Sequence, residues 1–199
     1  MKNDPEKKRN KVIMMTYLYT ARARFDKNHT DDFSWSGYIQ WSRLEQLTEL
    51  VSLDTGLNEV LVEPDRDSDE DRKEIVLESC YETGLFRTQE YVLRKKNGPE
   101  KFSLLAVVIE PESDCALIHL ENYEFLGYEL LDQYYDTSAL TNCGGFDETF
   151  LPGDLNEFGL IDHYEKAYAI RENLLKNNPG EDHADTIVIA IWRHRSIGW

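Results

Sequence analysis

The chain has 199 residues, a mass of 23.3 kDa and a net charge of −16, with 38 acidic against 22 basic side chains. Its apolar share of 41% is enough to fill a core, so a wholly disordered chain is excluded. The negative charge disfavours general binding to nucleic acid and to anionic membrane surfaces, because both are polyanions. No segment approaches the roughly 20 consecutive apolar residues of a membrane-spanning helix.

The positive charge is concentrated at the start of the chain. Residues 1–27 carry eight basic side chains against three acidic ones, so the remaining residues carry a net charge of −21. We interpret residues 1–11 as a basic, flexible leader and residues 12–199 as a single domain. Because the acidic body would repel the polyanion that such a leader attracts, no nucleic-acid partner is expected.

The first apolar segment and the cysteines indicate the compartment. Val12 begins an apolar stretch, but Tyr17, Tyr19 and Arg22 do not fit a secretory signal, and no small-residue cleavage site follows. The three cysteines are an odd number at wide spacing, which predicts neither a disulfide framework nor a zinc site. We therefore expect a reduced, cytoplasmic protein with no cofactor.

Alternating patterns predict the first structural elements. Between residues 13 and 25 apolar side chains alternate with polar ones such as Arg22, which indicates a long strand with one solvent-facing side. Residues 28–32 supply turn-forming side chains. Residues 33–41 alternate again, with both tryptophans on one side, so we expect a hairpin with a tryptophan-rich inner face.

A short amphipathic helix is predicted next. Ser42 and Glu45 have the spacing of a capping box, in which each side chain satisfies a backbone N–H at the helix start. Three leucines follow at helical spacing, so the helix is expected to continue to about Leu53.

An acidic segment follows. Between residues 63 and 74 the chain has seven acidic and three basic side chains, and Pro64 is its only apolar residue. This segment cannot fill a core, so we predict an exposed acidic loop. A solvated loop is one interpretation, and a docking surface for a basic protein partner is the other. The candidate contact residues are Asp67, Asp69, Glu70 and Asp71.

The second half of the chain predicts more strands and a helix. Residues 102–110 and 185–193 are apolar nearly throughout, which is typical of strands covered on both faces, and we expect the second to be central. Further strands are expected at 115–120 and 123–131, an irregular segment at 137–159 and a helix at 161–176. The whole predicts one α+β domain, with a mostly antiparallel sheet of about six to eight strands and two helices packed on it.

Cys143 is the most suggestive residue for catalysis. Two glycines follow it within the irregular segment, where backbone N–H groups can approach a thiolate nucleophile. His163 and His183 are the nearest candidate bases, so a small hydrolase or transferase is the alternative function. A tight turn with the thiol packed inward is the simpler interpretation, and we favour it because no cysteine-hydrolase motif surrounds Cys143.

The same two histidines lie among acidic residues, and such sets can bind divalent metals. Asp162, however, is well placed as a helix N-cap, and Asp185 as a turn residue. No pair of ligands has the spacing of adjacent turns on one helix. We therefore predict no metal site.

Tyrosines beside acidic residues form a second candidate binding surface. Tyr134 and Tyr135 directly precede Asp136. Aromatic rings offer contact area to an Arg- or Lys-rich protein surface, and carboxylates offer paired hydrogen bonds. A tyrosine-rich sheet edge would have the same composition, so both interpretations stay open.

The leading hypothesis is a non-catalytic acidic protein that docks a basic protein partner and occludes it, with charge accelerating association. The size and charge balance are similar to those of small acidic bacterial immunity proteins, which neutralise toxins, and this is a similarity of composition alone. No phosphate loop, dinucleotide fingerprint or nucleophile elbow occurs, which lowers the expectation of an enzyme. A third hypothesis is a structural or oligomeric protein whose exposed aromatic residues form an interface.

Overall fold

The structure is a computed structural model that describes residues 16–29, 34–65, 67–75, 83–134, 136–142, 149–181 and 184–198. The described residues form six strands, four α-helices and one short 3-10 helix, so the α+β class is confirmed. The strands are β1 (Leu18–Ala23), β2 (Phe25–Asp26), β3 (Glu49–Leu50), β4 (Phe102–Ile109), β5 (Tyr123–Asp132) and β6 (Thr186–His194). The helices are α1 (Trp35–Ser42), α2 (Asp69–Glu74), α3 (Gln89–Lys95) and α4 (Tyr164–Asn177), and the 3-10 helix is Pro152–Asp154.

The strands form two antiparallel sheets. The larger has the order β1-β4-β6-β5, and the smaller pairs β2 with β3. The predicted strands at 102–110, 123–131 and 185–193 are confirmed, and β6 is central as expected. The predicted helix at 161–176 corresponds to α4. We expected a single sheet of about six to eight strands, whereas the described residues form one sheet of four strands and one of two. They also form four α-helices, whereas two were predicted.

Both faces of the larger sheet are buried. Helix α4 packs on one face, where Ala167 and Ile170 join a core cluster that includes Trp192 of β6. Val51 and Leu53 belong to the core cluster on the other face. The prediction that one side of the first strand faces solvent is therefore wrong. The side chains of Thr20 and Arg22 are buried, because residues distant in sequence cover this face of the sheet.

Three predicted elements are wrong. The expected hairpin strand at 33–41 is helix α1 in its described part, because aromatic residues at 35, 38 and 41 also satisfy helical spacing and Ser34 caps the first turn. The helix predicted from Ser42 does not form, since Arg43 adopts a left-handed conformation and Leu50 pairs with Phe25 between β3 and β2. The strand predicted at 115–120 is a turn.

Backbone pairing covers both edges of the larger sheet. Along β1, Phe86 exchanges two hydrogen bonds of 2.8 and 2.9 Å with Tyr19, and residues 59–61 continue the pairing. Along β5, Ile161 exchanges two hydrogen bonds of 2.8 and 2.9 Å with Tyr128. Most of the edge backbone is thus already paired within the chain.

Candidate functional site

The acidic segment contains a short helix rather than the predicted loop. The side chain of Ser68 accepts a hydrogen bond from the Asp71 N–H and so caps the start of α2. Acidic residues occupy the first turn and Arg72 and Lys73 the last, which suits the helix dipole. The spacing of Ser68 and Asp71 in the sequence is a helix-start signal that could have predicted α2.

Buried contacts fix α2 to the rest of the protein. The Asp71 carboxylate is fully buried and accepts hydrogen bonds from the Asp65 N–H at 2.7 Å and the Lys95 ammonium at 2.9 Å. Burial alone would raise the pKa of Asp71, but these two donors hold it below its ordinary value. At the helix end, the Glu74 carboxylate accepts hydrogen bonds from the N–H and the hydroxyl of Thr88.

Three of the four predicted contact residues in this segment remain accessible. The side chains of Asp67, Asp69 and Glu70 are 100%, 92% and 66% exposed. Glu70 pairs with Arg94 at 2.5 Å, while Arg72 lies 3.9 to 4.0 Å from the other two carboxylates. We call these three residues the acidic helix surface. The fourth candidate, Asp71, is not available to a partner because its carboxylate is buried.

The predicted tyrosine surface lies in the turn after β5. The ring of Tyr134 is exposed, and the Asp132 carboxylate accepts hydrogen bonds of 3.1 Å from the N–H groups of Tyr134 and Asp136. Burial and the neighbouring Asp136 carboxylate raise the pKa of Asp132. Tyr135 lies outside the described residues.

The two candidate binding surfaces lie at opposite edges of the larger sheet. The acidic helix surface is on the β1 side, since Ile75 at the end of α2 pairs with Phe86, which pairs with Tyr19. Tyr134 follows β5, the strand at the other edge. The structure therefore does not combine these surfaces into one site.

The predicted catalytic residues are described only in part. Cys143 and His183 lie outside the described residues, so their pairing stays a prediction. His163 is exposed at the N-cap position of α4, where its side chain makes no capping hydrogen bond. The described residues contain no group of three or more His, Cys, Asp or Glu side chains arranged to hold a metal ion. None of the helices in the described ranges is long and apolar enough to span a membrane.

Cys115 is buried and unsuited to nucleophilic chemistry. Its N–H donates a hydrogen bond of 2.6 Å to the Tyr128 hydroxyl oxygen, and that hydroxyl donates in turn to the Asp114 carboxylate at 2.8 Å. Burial, together with the charge of Asp114, raises the pKa of the Cys115 thiol to about 11. The thiol is therefore protonated at neutral pH, whereas a nucleophile needs the thiolate.

A buried polar cluster is the main feature that the sequence analysis missed. Glu129 on β5 is 1% exposed, and its carboxylate accepts hydrogen bonds from the Ser52 hydroxyl and, at 2.8 Å, from the Leu53 N–H. Asp54, equally buried, accepts from the Ser138 N–H at 2.9 Å. These contacts tie two loops to the sheet. The Glu129 cluster consists of Arg22, Ser52, Asp54, Asn58, Glu129, Ser138 and Asn142.

Burial shifts the titration of this cluster. It raises the pKa of Glu129 to about 7, because the ionised carboxylate loses its hydration and faces Asp54. It also lowers the pKa of Arg22 to about 10, although the two carboxylates oppose this shift. The sequence contained a signal for this cluster, since the alternation in β5 places Glu129 on the same side as the apolar Leu131.

Ion pairs form a second buried network beside this cluster. The carboxylate of Glu49 on β3 forms ion pairs with Arg24 and with Arg193 of β6, each at 2.8 Å. Arg193 also reaches Glu124 of β5 at 3.1 Å, and its guanidinium lies 5.0 Å from the centre of the Phe158 ring. This network joins the two sheets, and we assign it a structural role.

The chain matches no protein-family model, no curated protein and no solved structure. Function is therefore inferred from the charges, exposure and contacts of the side chains described above.

Proposed function

We propose that this protein is a non-catalytic, acidic binding protein that docks a basic protein partner and occludes it, as a bacterial immunity-type inhibitor does. The observation that carries the proposal is the acidic helix surface, which presents accessible carboxylates from Asp69 and Glu70 on α2 and from Asp67 just before it. The buried Asp71 carboxylate holds this helix to Lys95. The chain charge of −16 has the sign that such a partner requires. The predicted cytoplasmic location belongs to the same proposal.

Rigidity distinguishes this surface from a solvated acidic loop. The contacts of the buried Asp71 carboxylate and of Glu74 with Thr88 hold α2 in place, so the helix that presents Asp69 and Glu70 is formed before a partner binds. Ordering a mobile segment on binding costs conformational entropy, and a preformed surface avoids much of that cost. Arginine side chains of a partner would find carboxylates able to accept paired, charge-assisted hydrogen bonds.

Charge and sheet pairing restrict the mode of docking. The negative field accelerates encounter with a cationic surface, and this effect weakens as salt screens it. A partner is not expected to add a strand to the larger sheet, because Phe86 and Ile161 already pair with its two edges. Side chains of the acidic helix surface are therefore expected to carry recognition.

The test is affinity capture from lysate of the source cell with the full chain as bait. The variant Asp67→Asn/Asp69→Asn/Glu70→Gln removes the three charges of the acidic helix surface. The matched control, Glu112→Gln/Glu121→Gln/Glu172→Gln, removes three charges from other exposed positions. We expect a basic protein that is retained at low salt, released at high salt, kept by the control and lost by the first variant. Equal retention by both variants, or no retained protein, would contradict the proposal.

The alternative function remains a hydrolase or transferase that uses Cys143 with His163 or His183. Its test is the rate of alkylation by iodoacetamide at Cys143, compared with a free-thiol peptide and with Cys143→Ser. Alkylation faster than the peptide would support an activated thiolate, and slow alkylation would remove this alternative.

A further inference from the structure

Glu129 holds two separate segments against the larger sheet. Its carboxylate accepts hydrogen bonds from the hydroxyl of Ser52 and the N–H of Leu53, and it also interacts with the hydroxyl of Ser138. Asp54 extends both links, because its carboxylate accepts from the N–H groups of Gly56 and Ser138 and from the Asn142 amide. Residues 52–58 and 138–142 therefore share one buried acidic anchor.

The charged groups that face Glu129 do not neutralise it directly. From β1, the two terminal nitrogens of Arg22 donate hydrogen bonds to the backbone carbonyls of Asn58 and Thr83. The Nε of Arg22 has no hydrogen-bond partner among the described residues. From the 52–58 loop, Asp54 adds a second negative charge. From α1, the Tyr38 hydroxyl is neutral and donates to the Thr141 carbonyl at 2.9 Å. Two buried carboxylates thus face one guanidinium that is engaged elsewhere.

We propose that Glu129 is a proton-dependent switch that keeps residues 52–58 and 138–142 closed on the sheet while protonated and favours their opening when ionised. Ionisation places a second carboxylate charge beside the equally buried Asp54, and opening of the two segments relieves this cost by hydration. The proton is released to bulk solvent as the segments open. This inference is independent of the proposed docking function.

The direction and pH range follow from linkage. In the closed state the pKa of Glu129 is about 7, whereas in an open, hydrated state it approaches the ordinary value of 4.5. The open state therefore binds fewer protons within this range, and the opening equilibrium rises by up to about tenfold per pH unit before levelling above neutrality. The amide exchange of residues that do not contact the Glu129 cluster is the internal reference for this pH dependence.

The test is amide hydrogen exchange of the full chain between pH 5 and 8, corrected for the intrinsic pH dependence of exchange. In the wild type, protection of peptides covering 52–58 and 138–142 should fall by at least tenfold from pH 5 to pH 7, with peptides from β4 unchanged. In Glu129→Gln, which keeps an acceptor oxygen and cannot ionise, this dependence should disappear. In Asp54→Asn it should persist with a midpoint at lower pH, since the charge of Asp54, which raises the pKa of Glu129, has been removed.

Two results would overturn the proposal. One is pH-independent protection in the wild type, and the other is loss of the dependence in Asp54→Asn with its retention in Glu129→Gln, which would identify Asp54 as the titrating group. If a variant fails to fold, carbon NMR titration of the wild-type carboxyls decides. The proposal would also be contradicted if the Glu129 carboxyl titrates near pH 4.5, or if its titration leaves the Leu53 and Ser138 amide signals unchanged.

Discussion

The Lys95 ammonium lies 2.9 Å from the buried carboxylate of Asp71 and so joins α3 to the acidic helix. We expect Lys95→Met to lower the free energy of unfolding by about 2 kcal/mol, because it leaves a buried carboxylate without its cation. The matched control is Arg94→Met, which removes an exposed pair with Glu70 and should cost less than about 1 kcal/mol. Urea denaturation measures both, and equal losses would mean that the Asp71–Lys95 pair does not anchor α2.

The network around Glu49 offers a second comparison of buried and exposed pairs. Glu49→Gln neutralises the carboxylate that pairs with both Arg24 and Arg193, so the nearly buried Arg193 loses one of its two carboxylate partners and keeps Glu124. We expect a loss of about 3 kcal/mol in the free energy of unfolding. Glu124→Gln, at the more exposed end, should cost under about 1 kcal/mol. A larger effect at Glu124 would contradict this assignment.

The elements that sequence analysis predicted well are those whose environment is uniform along the chain. Strands β4 and β6 are covered on both faces, so their unbroken apolar residues identify them without knowledge of their partners. Helix α4 has a single buried stripe. By contrast, residues 35–42 satisfy both alternating and helical spacing, and only the Ser34 cap and the burial of Tyr38 decide for the helix.

The partners of the buried polar side chains could not be predicted, because they are distant in sequence. Arg22 has the position of a solvent-facing residue in an alternating strand, yet it is buried and its terminal nitrogens donate hydrogen bonds to the carbonyls of Asn58 and Thr83. The same holds for Asp71, which belongs to a segment of exposed, acidic composition, yet its carboxylate is buried and pairs with Lys95 of α3. The exposure of Asp67 and Asp69, on the other hand, follows from local composition alone.

A glycine on β5 gives a prediction about backbone geometry. Gly127 lies at the irregularity of the β5–β6 pairing with φ of +142°, and an added Cβ would lie 2.8 Å from the Leu160 Cβ and 2.9 Å from the Ile161 carbonyl oxygen. We expect Gly127→Ala to destabilise by about 2 kcal/mol, through backbone strain and displacement of the strand's partner segment. The control is Gly153→Ala, where nothing lies within 4 Å. Similar melting temperatures for the two variants would be contrary to this account.

The buried carboxyl of Glu129 predicts how stability depends on pH. The pKa of Glu129 is about 7 in the folded state and 4.5 in the unfolded state, so between these pH values the unfolded state binds fewer protons. The contribution of Glu129 to the free energy of unfolding therefore falls as the pH rises from 4.5 to 7. Glu129→Gln lacks this contribution. The difference in free energy of unfolding, variant minus wild type, should therefore rise by about 3 kcal/mol from pH 4.5 to pH 7.5.

Urea denaturation of both proteins at half-unit pH intervals measures this difference directly. The contributions of groups that titrate alike in both proteins cancel in the subtraction. Asp71 is such a group, and its stabilising contribution is lost only in acid. A difference that stays constant with pH would show that Glu129 ionises normally inside the folded protein. A difference that falls would show that the hydrogen bonds from Ser52, Leu53 and Ser138 stabilise the carboxylate more than burial and the charge of Asp54 oppose it.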